Sequence, residues 1–361
     1  MCGMDVYPLK SVPVFKPRIW GGRKLAKVFG KELPPDQQIG ESWEIADLPE
    51  GQSRIANGPF AGRTLGEVVR RHAEEIVGTR DGCRRFVSRA SRPRSEGGMG
   101  SPTPNSVLGN PTPSTQRGQD GRDTALERFP LLVKFLDAQD VLSVQVHPDP
   151  ETCRRMGKGD PKTECWYIIQ AEAGAVIYKG FKQEVTREQF ARAIEDGIAA
   201  DLLAAVAARP GECHFIPAGT VHGLGAGLLI AEVQTPSDTT YRVFDWNRVD
   251  ESGRSRPLHI AEALESIHFD VTPDKLPVTT VGRLVDSEYF RVDKGHQAPR
   301  GELLLRRGCL RVLIVLAGGG TILSSKAEPV PFKAGDCLLI PATFEGATRF
   351  AQDTEYLTVT I

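Results

Sequence analysis

Short runs of apolar and β-branched residues recur along this chain and alternate with polar positions at a period of two. Glycine or proline separates most of these runs, and both residues interrupt regular structure. The clearest runs are LSVQVHP, ECWYIIQAEAGAVIYKG, CHFIPAG, GLLIAEVQ, YRVFDW, LRVLIVLAGGGTILS, DCLLIPA and YLTVTI. Many short strands and few helices predict a mainly β fold built from sandwiches or barrels.

Two segments have the three-to-four residue spacing of an amphipathic helix instead. In the first, Thr64 and Glu67 form a capping box, and apolar residues and His72 share one face until Gly78. On this pattern His72 is a half-buried helix residue. The sequence therefore predicts a helix that starts after Thr64.

The second helical segment begins at Thr186, which pairs with Gln189 in another capping box. Its apolar spacing predicts helix as far as about Arg209, with Gly197 as the point where it divides. We therefore predict a helical insertion at residues 184–209 within an otherwise β-rich region.

Residues 90–124 differ in composition from the rest of the chain, because Pro, Gly, Ser, Thr and Asn dominate them. So few apolar residues cannot compensate for the conformational entropy that folding removes. Strand patterns resume directly afterwards with RFPLLVKFLDA. We predict a disordered insertion in a surface loop.

A weak internal repeat indicates two related β domains. GDCLLIPATFEG, from Gly335, repeats the spacing of glycine and proline in GECHFIPAGTVHG, from Gly211. Gly346 occupies the position in the second copy that His222 occupies in the first. We predict an amino-terminal domain at residues 1–256 and a degenerate carboxy-terminal domain at residues 257–361.

Composition excludes several classes of protein. The 361 residues include 45 Lys and Arg against 46 Asp and Glu, so no net field favours nucleic acid or anionic membranes as partners. Seven cysteines at irregular spacings, with no C-x-x-C pair, fit a reduced cytoplasmic protein better than a disulfide framework. No run of eighteen apolar residues or signal peptide is expected. The sequence leaves the oligomeric state open.

GECHFIPAGTVHGLGAG contains the first candidate for chemistry, His222. The pattern predicts a strand, then a tight turn through Pro217 and Gly219, then a side chain directed back inward. An isolated histidine beside a turn is more often a hydrogen-bonded structural residue than a metal ligand. A metal site therefore requires further ligands elsewhere in the chain.

Three further residues complete a candidate metal site. Gln145 and His147 lie two apart on the polar face of LSVQVHPD, although that face can equally point to solvent. Glu164 begins the apolar strand in KTECWYIIQ, a position that is usually just a solvated strand end. With His222, these residues supply two imidazole nitrogens and two oxygens, in the order in which a cupin barrel presents its metal ligands.

Six segments, IGESWEIAD, FPLLVKFLDA, LSVQVHPD, KTECWYII, PAGTVHGLG and SDTTYRVFDW, closely resemble the type I mannose-6-phosphate isomerase family, in its short bacterial branch. The resemblance spans nearly the whole chain except residues 90–124. It implies two cupin-type jelly-roll domains with a small helical insertion and one Zn²⁺ per chain. The zinc ligands that it implies are Gln145, His147, Glu164 and His222.

The resemblance also implies three residues at the reacting sugar. Arg242 in YRVFDW matches the catalytic arginine, with a surface ion pair to Asp238 or Asp245 as the alternative. Lys162 and Asp238 fall in active-site motifs, although an exposed loop lysine and a turn cap are equally compatible with their spacing. The proton carrier is not assigned.

Trp20 and Glu44 are expected to line the same cleft without a catalytic role. The remaining histidines lack ligand spacing, and we expect His214 to pack rather than ligate. We expect His259, His268 and His296 to be ordinary surface or core residues.

The implied reaction interconverts mannose 6-phosphate and fructose 6-phosphate through an enediol. A hexose 6-phosphate is then the partner, and a Lewis-acid metal stabilises charge on its carbonyl oxygen. Two alternatives stay open: a sugar-phosphate-binding cupin without catalysis, and another metal cupin such as an iron oxygenase. A structural bicupin of the seed-storage type predicts no ligands, which four matching positions contradict.

Overall fold

The computed structural model describes residues 6–78, 128–249, 253–270 and 276–361. Strands outnumber helices throughout these ranges, which confirms the prediction of a mainly β fold. The insertion predicted at residues 90–124 lies outside the described residues.

Strands β1 to β15 belong to the part of the chain before residue 250. They are β1 (Leu9–Val12), β2 (Val14–Gly22), β3 (Ile39–Ile45), β4 (Asp47–Leu48), β5 (Gly51–Gln52), β6 (Arg54–Ile55), β7 (Leu132–Ala138), β8 (Val144–Val146), β9 (Glu164–Ala171), β10 (Val176–Phe181), β11 (Leu203–Ala207), β12 (Cys213–Ile216), β13 (His222–Leu224), β14 (Leu228–Gln234) and β15 (Tyr241–Phe244).

Strands β16 to β24 follow in the remainder of the chain. They are β16 (Gly282–Asp286), β17 (Arg291–Gln297), β18 (Glu302–Leu305), β19 (Arg311–Ala317), β20 (Gly319–Leu323), β21 (Val330–Lys333), β22 (Cys337–Ile340), β23 (Gly346–Phe350) and β24 (Thr354–Thr360).

The first barrel consists of two antiparallel sheets whose inner faces share a core. One sheet has the order β12-β9-β14-β7-β3-β2, and the other has the order β11-β10-β13-β8-β15. Apolar side chains from both sheets, including Trp166, Ile177 and Leu224, pack together in the interior.

The second barrel repeats this arrangement with fewer strands in one wall. Its sheets have the orders β16-β17-β24-β19-β22-β1-β6 and β18-β23-β20-β21. Leu313, Leu338 and Tyr356 from the first of these sheets pack against Phe332 and Phe350 from the second.

The two barrels pack against each other through their larger sheets. Val133, Phe135 and Ala231 of the first barrel belong to the same apolar cluster as Val312 and Leu339 of the second. Strand β1, from the amino-terminal end of the chain, pairs with β22, with Leu9 opposite Leu339. The domain boundary after residue 256 stays a prediction, and β1 contributes its hydrogen bonds to the carboxy-terminal sheet.

The helices are short. They are α1 (Lys24–Phe29), α2 (Leu65–Arg71), α3 (Ala73–Ile76), α4 (Pro150–Met156), α5 (Arg187–Glu195) and α6 (Ile260–Ser266). The capping box of Thr64 and Glu67 is present at α2, and the helix breaks at half-buried His72 before α3. No helix in the described ranges is long and apolar enough to cross a membrane.

The prediction of helix from Thr186 to about Arg209 is wrong beyond Glu195. The capping box is present, and α5 ends before Gly197, which has a left-handed φ of +71°. A turn of 3₁₀ helix follows at Ala199–Leu202, and residues 203–207 form strand β11 along the edge of β10. Pairing with that open edge outweighs the helix propensity of an alanine-rich segment.

The internal repeat has a structural counterpart. His222 begins β13 after a turn at Pro217, and Gly346 begins β23 after a turn at Pro341. A Cβ at position 346 would lie 2.3 Å from the carbonyl oxygen of Leu323. The second barrel therefore has no room for a ligand side chain at the position equivalent to His222.

Candidate active site

Antiparallel pairing brings the predicted metal ligands together inside the first barrel. His222 on β13 lies directly opposite Gln145 on β8, and Glu164 begins the facing strand β9. Nε2 of His147 and Nε2 of His222 each lie 3.4 Å from a different oxygen of Glu164. All three side chains are buried. One atom from each lies within 4.8 Å of the others, close enough to bind one ion.

Both imidazole rings are held through their Nδ1 atoms. Nδ1 of His147 lies 2.9 Å from the carbonyl oxygen of Thr239, and Nδ1 of His222 lies 2.8 Å from that of Thr220. Because a carbonyl only accepts, each Nδ1 carries the proton and each Nε2 presents a lone pair toward Glu164. This tautomer is the one that a metal site at Nε2 requires.

Electrostatics favour the ligating protonation states. Burial and the nearby positive charge of Lys162 lower the pKa of His147 to about 3, and burial lowers the pKa of His222. Burial would raise the pKa of Glu164, but Lys162, His147 and His222 together outweigh it, and the pKa lies well below its usual value. Two neutral imidazoles and a carboxylate therefore face one another at neutral pH.

The cluster fits a metal ion because three of its buried polar atoms form no hydrogen bond. Nε2 of His147 and both carboxylate oxygens of Glu164 form no hydrogen bond, although the ammonium of Lys162 lies 2.9 Å from one of those oxygens. The side-chain amide of Gln145 lies 3.3 Å from Nε2 of His222. A half-turn of that amide exchanges its nitrogen and oxygen, so the oxygen can face the cluster. Such a nitrogen and oxygen set suits Zn²⁺.

A cavity of about 470 Å³ lies beside this cluster, between the two sheets of the first barrel, and Lys162 in its wall contacts Glu164. Gln145, Lys162, Asp238 and Arg242 line it. Lys162 is buried, Arg242 is partly buried, and Asp238 is exposed at the rim. The structure thus brings the three residues predicted at the sugar into one cavity with Gln145, one of the four candidate metal ligands. The metal-binding and catalytic roles of these residues stay predictions.

The described contacts of Arg242 are not those of a surface ion pair with Asp238 or Asp245, which the sequence left as an alternative. Its guanidinium donates to Oγ of Ser143 at 3.2 Å and to the carbonyl oxygen of Pro257 at 2.9 Å. The carboxylate of Asp245 is occupied by two other arginines, Arg248 and Arg256. Neither Asp245 nor Asp238 forms an ion pair with Arg242 among the described residues.

Sequence reasoning missed several charged residues in the cavity wall. Lys134 and Glu232 form a buried ion pair across β7 and β14, with 3.1 Å between Nζ and Oε1. Lys134 is one of two charged residues in the apolar strand LLVKFLDA, and Glu232 is the single charged residue in GLLIAEVQ. That pattern was the available signal, because a buried strand admits a charge only where it is paired.

The expectation that Trp20 and Glu44 line the cleft is correct for Trp20 and wrong for Glu44. Trp20 lines the cavity, whereas Glu44 lies on the opposite face of β3 and pairs with Lys31 at 2.8 Å. The carboxylate of this segment that reaches the cavity is Glu41, which pairs with Arg18. Positions three apart in a strand face opposite sides, so only one of the two acidic residues can point inward.

The remaining histidines lie outside the cluster. His214 is fully buried beside Glu212, with 3.4 Å between Nε2 and Oε2, and it packs rather than ligates. His259 accepts a hydrogen bond from the backbone N–H of Arg242. His268 and His296 each pair with an aspartate, Asp149 and Asp353 respectively.

Comparison with known proteins agrees with the family resemblance carried by the sequence motifs. The model of the family described as phosphomannose isomerase type I, catalytic domain, matches residues 110–167. The mannose-6-phosphate isomerase ManA of Bacillus subtilis is 34% identical over 348 residues, which are 94% of this chain and 94% of that protein.

Solved structures extend the comparison. The crystal structure of the mannose 6-phosphate isomerase from Bacillus subtilis has a TM-score of 0.76 and 30% identity, and the match covers 98% of this chain and 99% of that one. A zinc-bound mannose 6-phosphate isomerase has a TM-score of 0.68 over the same shares, and at 14% identity the likeness concerns the fold alone. The family resemblance carried by the sequence motifs is therefore confirmed, and the chain is an isomerase that belongs to the type I mannose-6-phosphate isomerase family.

Proposed function

We propose that this chain is a zinc-dependent enzyme that interconverts mannose 6-phosphate and fructose 6-phosphate. The observation that carries the proposal is the convergence of His147, Glu164 and His222, whose side chains can reach one ion, beside a cavity lined by Arg242 and by Lys162, which contacts Glu164. Family membership supports the same reaction.

Gln145, His147, Glu164 and His222 would hold a single Zn²⁺. Two neutral imidazoles, one carboxylate and one amide oxygen leave the bound ion with one net positive charge and match the ligands that zinc takes in proteins. When bound, the zinc supplies Lewis-acid stabilisation of negative charge on a sugar oxygen.

Arg242 would hold the anionic end of the substrate or the enediolate. Its side chain is partly buried, reaches the cavity and is oriented by Ser143 and by the carbonyl of Pro257. Burial lowers the pKa of Arg242 from its ordinary value, but a guanidinium titrates so far above neutrality that it keeps its charge. A fixed cation without a carboxylate partner among the described residues is well suited to bind an anion.

Lys162 and Asp238 would orient the reacting hydroxyl groups from opposite sides of the cavity. The ammonium of Lys162 lies 2.9 Å from Glu164 and can donate to a sugar oxygen close to the metal ligands. Asp238 at the rim can accept from a sugar hydroxyl. Together with Arg242 they fix the sugar so that a proton can leave one carbon and return to its neighbour.

The cavity also protects the enediol from water. Trp20, Leu136 and Leu142 contribute apolar surface to its wall, and Trp166 closes it beside His222. Excluding water strengthens the electrostatic interactions inside and prevents side reactions of the enediol.

A coupled assay tests this proposal by measuring fructose 6-phosphate formed from mannose 6-phosphate. Turnover should disappear with a chelator and return when zinc is added, and mannose without the phosphate should be a poor substrate because Arg242 loses its anion. If zinc-loaded protein binds mannose 6-phosphate without turnover, the chain is a sugar-phosphate-binding protein. The cytoplasmic location inferred from the cysteines stays a prediction.

A further inference from the structure

The turn at residues 217–220, here called the ligand turn, is hydrogen-bonded to His147, to His222 and to the residue that precedes Glu164. Its Gly219 N–H donates to the carbonyl oxygen of His147 at 2.9 Å, and its Ala218 N–H donates to Oγ1 of Thr163, which precedes Glu164. Its Thr220 carbonyl accepts from Nδ1 of His222. A displacement of this turn would therefore move His222 relative to the other two ligands.

His268, from the segment after α6, covers the ligand turn. Its backbone N–H donates to the carbonyl oxygen of Gly219 at 3.0 Å. Its ring lies directly on Gly219, because a Cβ at that position would lie 2.4 Å from Nδ1 of His268. Gly219 also has a φ of +83°, so both its conformation and this contact require glycine.

The same imidazole reaches the segment that follows His147. Nε2 of His268 lies 2.7 Å from Oδ2 of Asp149. The other oxygen of Asp149 caps α4 by accepting from the N–H of Thr152 at 2.6 Å, which fixes the carboxylate in place. His268 therefore bridges the ligand turn and the segment carrying His147.

A cavity of about 90 Å³ lies on the side of the ligand turn that faces Phe181 and Ile267. The turn is not tightly packed there, so it has space in which to move. The contacts with His268 restrict that movement.

We propose that His268 is a positioning residue for the metal site, although it touches neither the substrate cavity nor the clustered atoms. It holds the ligand turn against the segment after His147 and thereby fixes the separation of the two imidazoles. The inference rests on the proposed metal site. Residues that orient metal ligands from outside typically change metal affinity by 10-fold to 100-fold when mutated.

The test compares His268→Ala with His296→Ala in the full chain. His296 is a matched control, since it is an exposed histidine paired with an aspartate at 3.0 Å in the second barrel. Zinc dissociation constants are measured by competition with a chromogenic chelator, and melting temperatures are measured with and without zinc.

We expect His268→Ala to weaken zinc binding at least 10-fold and to reduce the rise in melting temperature that zinc produces, because that rise depends on affinity. His296→Ala should match the wild type in both measurements. His268→Gln, which places an amide N–H near the position of Nε2, should recover most of the affinity.

The inference is overturned if His268→Ala binds zinc within twofold of the wild type, or if it lowers the melting temperatures with and without zinc equally while affinity is kept. A wild-type chain that binds no zinc would instead refute the proposed metal site itself. Measuring the wild type first therefore separates the two failures.

Discussion

Lys134 and Glu232 face each other across neighbouring strands, with 3.1 Å between Nζ and Oε1 and only 3% and 4% of their side chains exposed. The indole N–H of Trp166 donates to the other oxygen of Glu232 at 2.9 Å. The Trp166 ring in turn meets the His222 ring edge-on at 5.4 Å between centroids. This ion pair thus supports the wall against which a candidate metal ligand rests.

Replacing Lys134 with methionine should lower the free energy of unfolding by about 3 to 5 kcal/mol, because Glu232 would stay buried without its counter-charge. Burial already raises the pKa of Glu232 despite the charge of Lys134. The double variant Lys134→Met with Glu232→Gln should recover much of the loss. Unfolding in urea measures the free energy of unfolding of both variants. An equal decrease in the two variants would contradict this account.

His222→Ala should abolish turnover and release the metal, because only Glu164 and His147 would remain of the three clustered residues. The matched control is His214→Ala, another fully buried histidine of the same barrel. That control is expected to lose stability but keep one metal per chain. Elemental analysis measures the metal content of the purified variants. Full metal content in His222→Ala would mean that His222 is wrongly assigned as a ligand.

Arg242→Lys keeps a positive charge but loses the planar fork that reaches both Ser143 and the Pro257 carbonyl. We expect kcat/KM to fall by about 10² to 10³, in the range reported for losing one donor to developing charge. Arg283→Lys, on the exposed surface of the second barrel, should leave kcat/KM unchanged. Near-normal kinetics for Arg242→Lys would exclude its role at the substrate.

Stability should depend on pH through Glu41. Burial alone would raise the pKa of Glu41, but the charges of Lys134 and Arg18 outweigh it and lower the pKa to about 2 from 4.5. The unfolded chain binds this proton first as pH falls, so the contribution is complete above pH 4.5 and is lost between pH 4.5 and 2. The contribution of Glu41 to the free energy of unfolding amounts to about 3 kcal/mol.

Unfolding of the wild type and of Glu41→Gln, followed from pH 7 to pH 2, measures that contribution. The difference in free energy between the two proteins should shrink below pH 4.5. A difference that stays constant over this range would show that Glu41 titrates alike in the folded and unfolded chains.

Deleting residues 92–122 should leave the melting temperature and turnover nearly unchanged. The reason is compositional, since this segment offers almost no apolar side chains to a core. Differential scanning calorimetry and the coupled assay check the shortened chain. Failure of that chain to fold would show that the segment contributes to the core.

The strands and the four candidate ligands could be predicted from the sequence because each depends on a local pattern. His222 illustrates this, since the proline and glycine before it impose a turn that determines where its side chain points. Alternation along a single strand placed Gln145 and His147 on one face, and the family resemblance, rather than that pattern, implied that they are ligands.

What the sequence could not decide was which face of a strand points inward. Glu41 and Glu44 stand in one motif, and only the pairing of β3 with its neighbours directs Glu41 to the cavity. Strand β11 was missed for a related reason, because its conformation depends on the open edge of β10 rather than on its own residues. Both errors involve contacts between segments distant in sequence.

The pairing of β1 with β22 determines when the second barrel can fold and where the chain can be divided. Because β1 precedes β22 in the chain, β1 cannot pair until β22 has been synthesised, so this part of the carboxy-terminal sheet closes only then. Dividing the gene between the barrels would leave Leu9 and its neighbours on the amino-terminal fragment. In co-expressed halves, β1 of that fragment would have to pair with β22 of the other fragment to rebuild the enzyme.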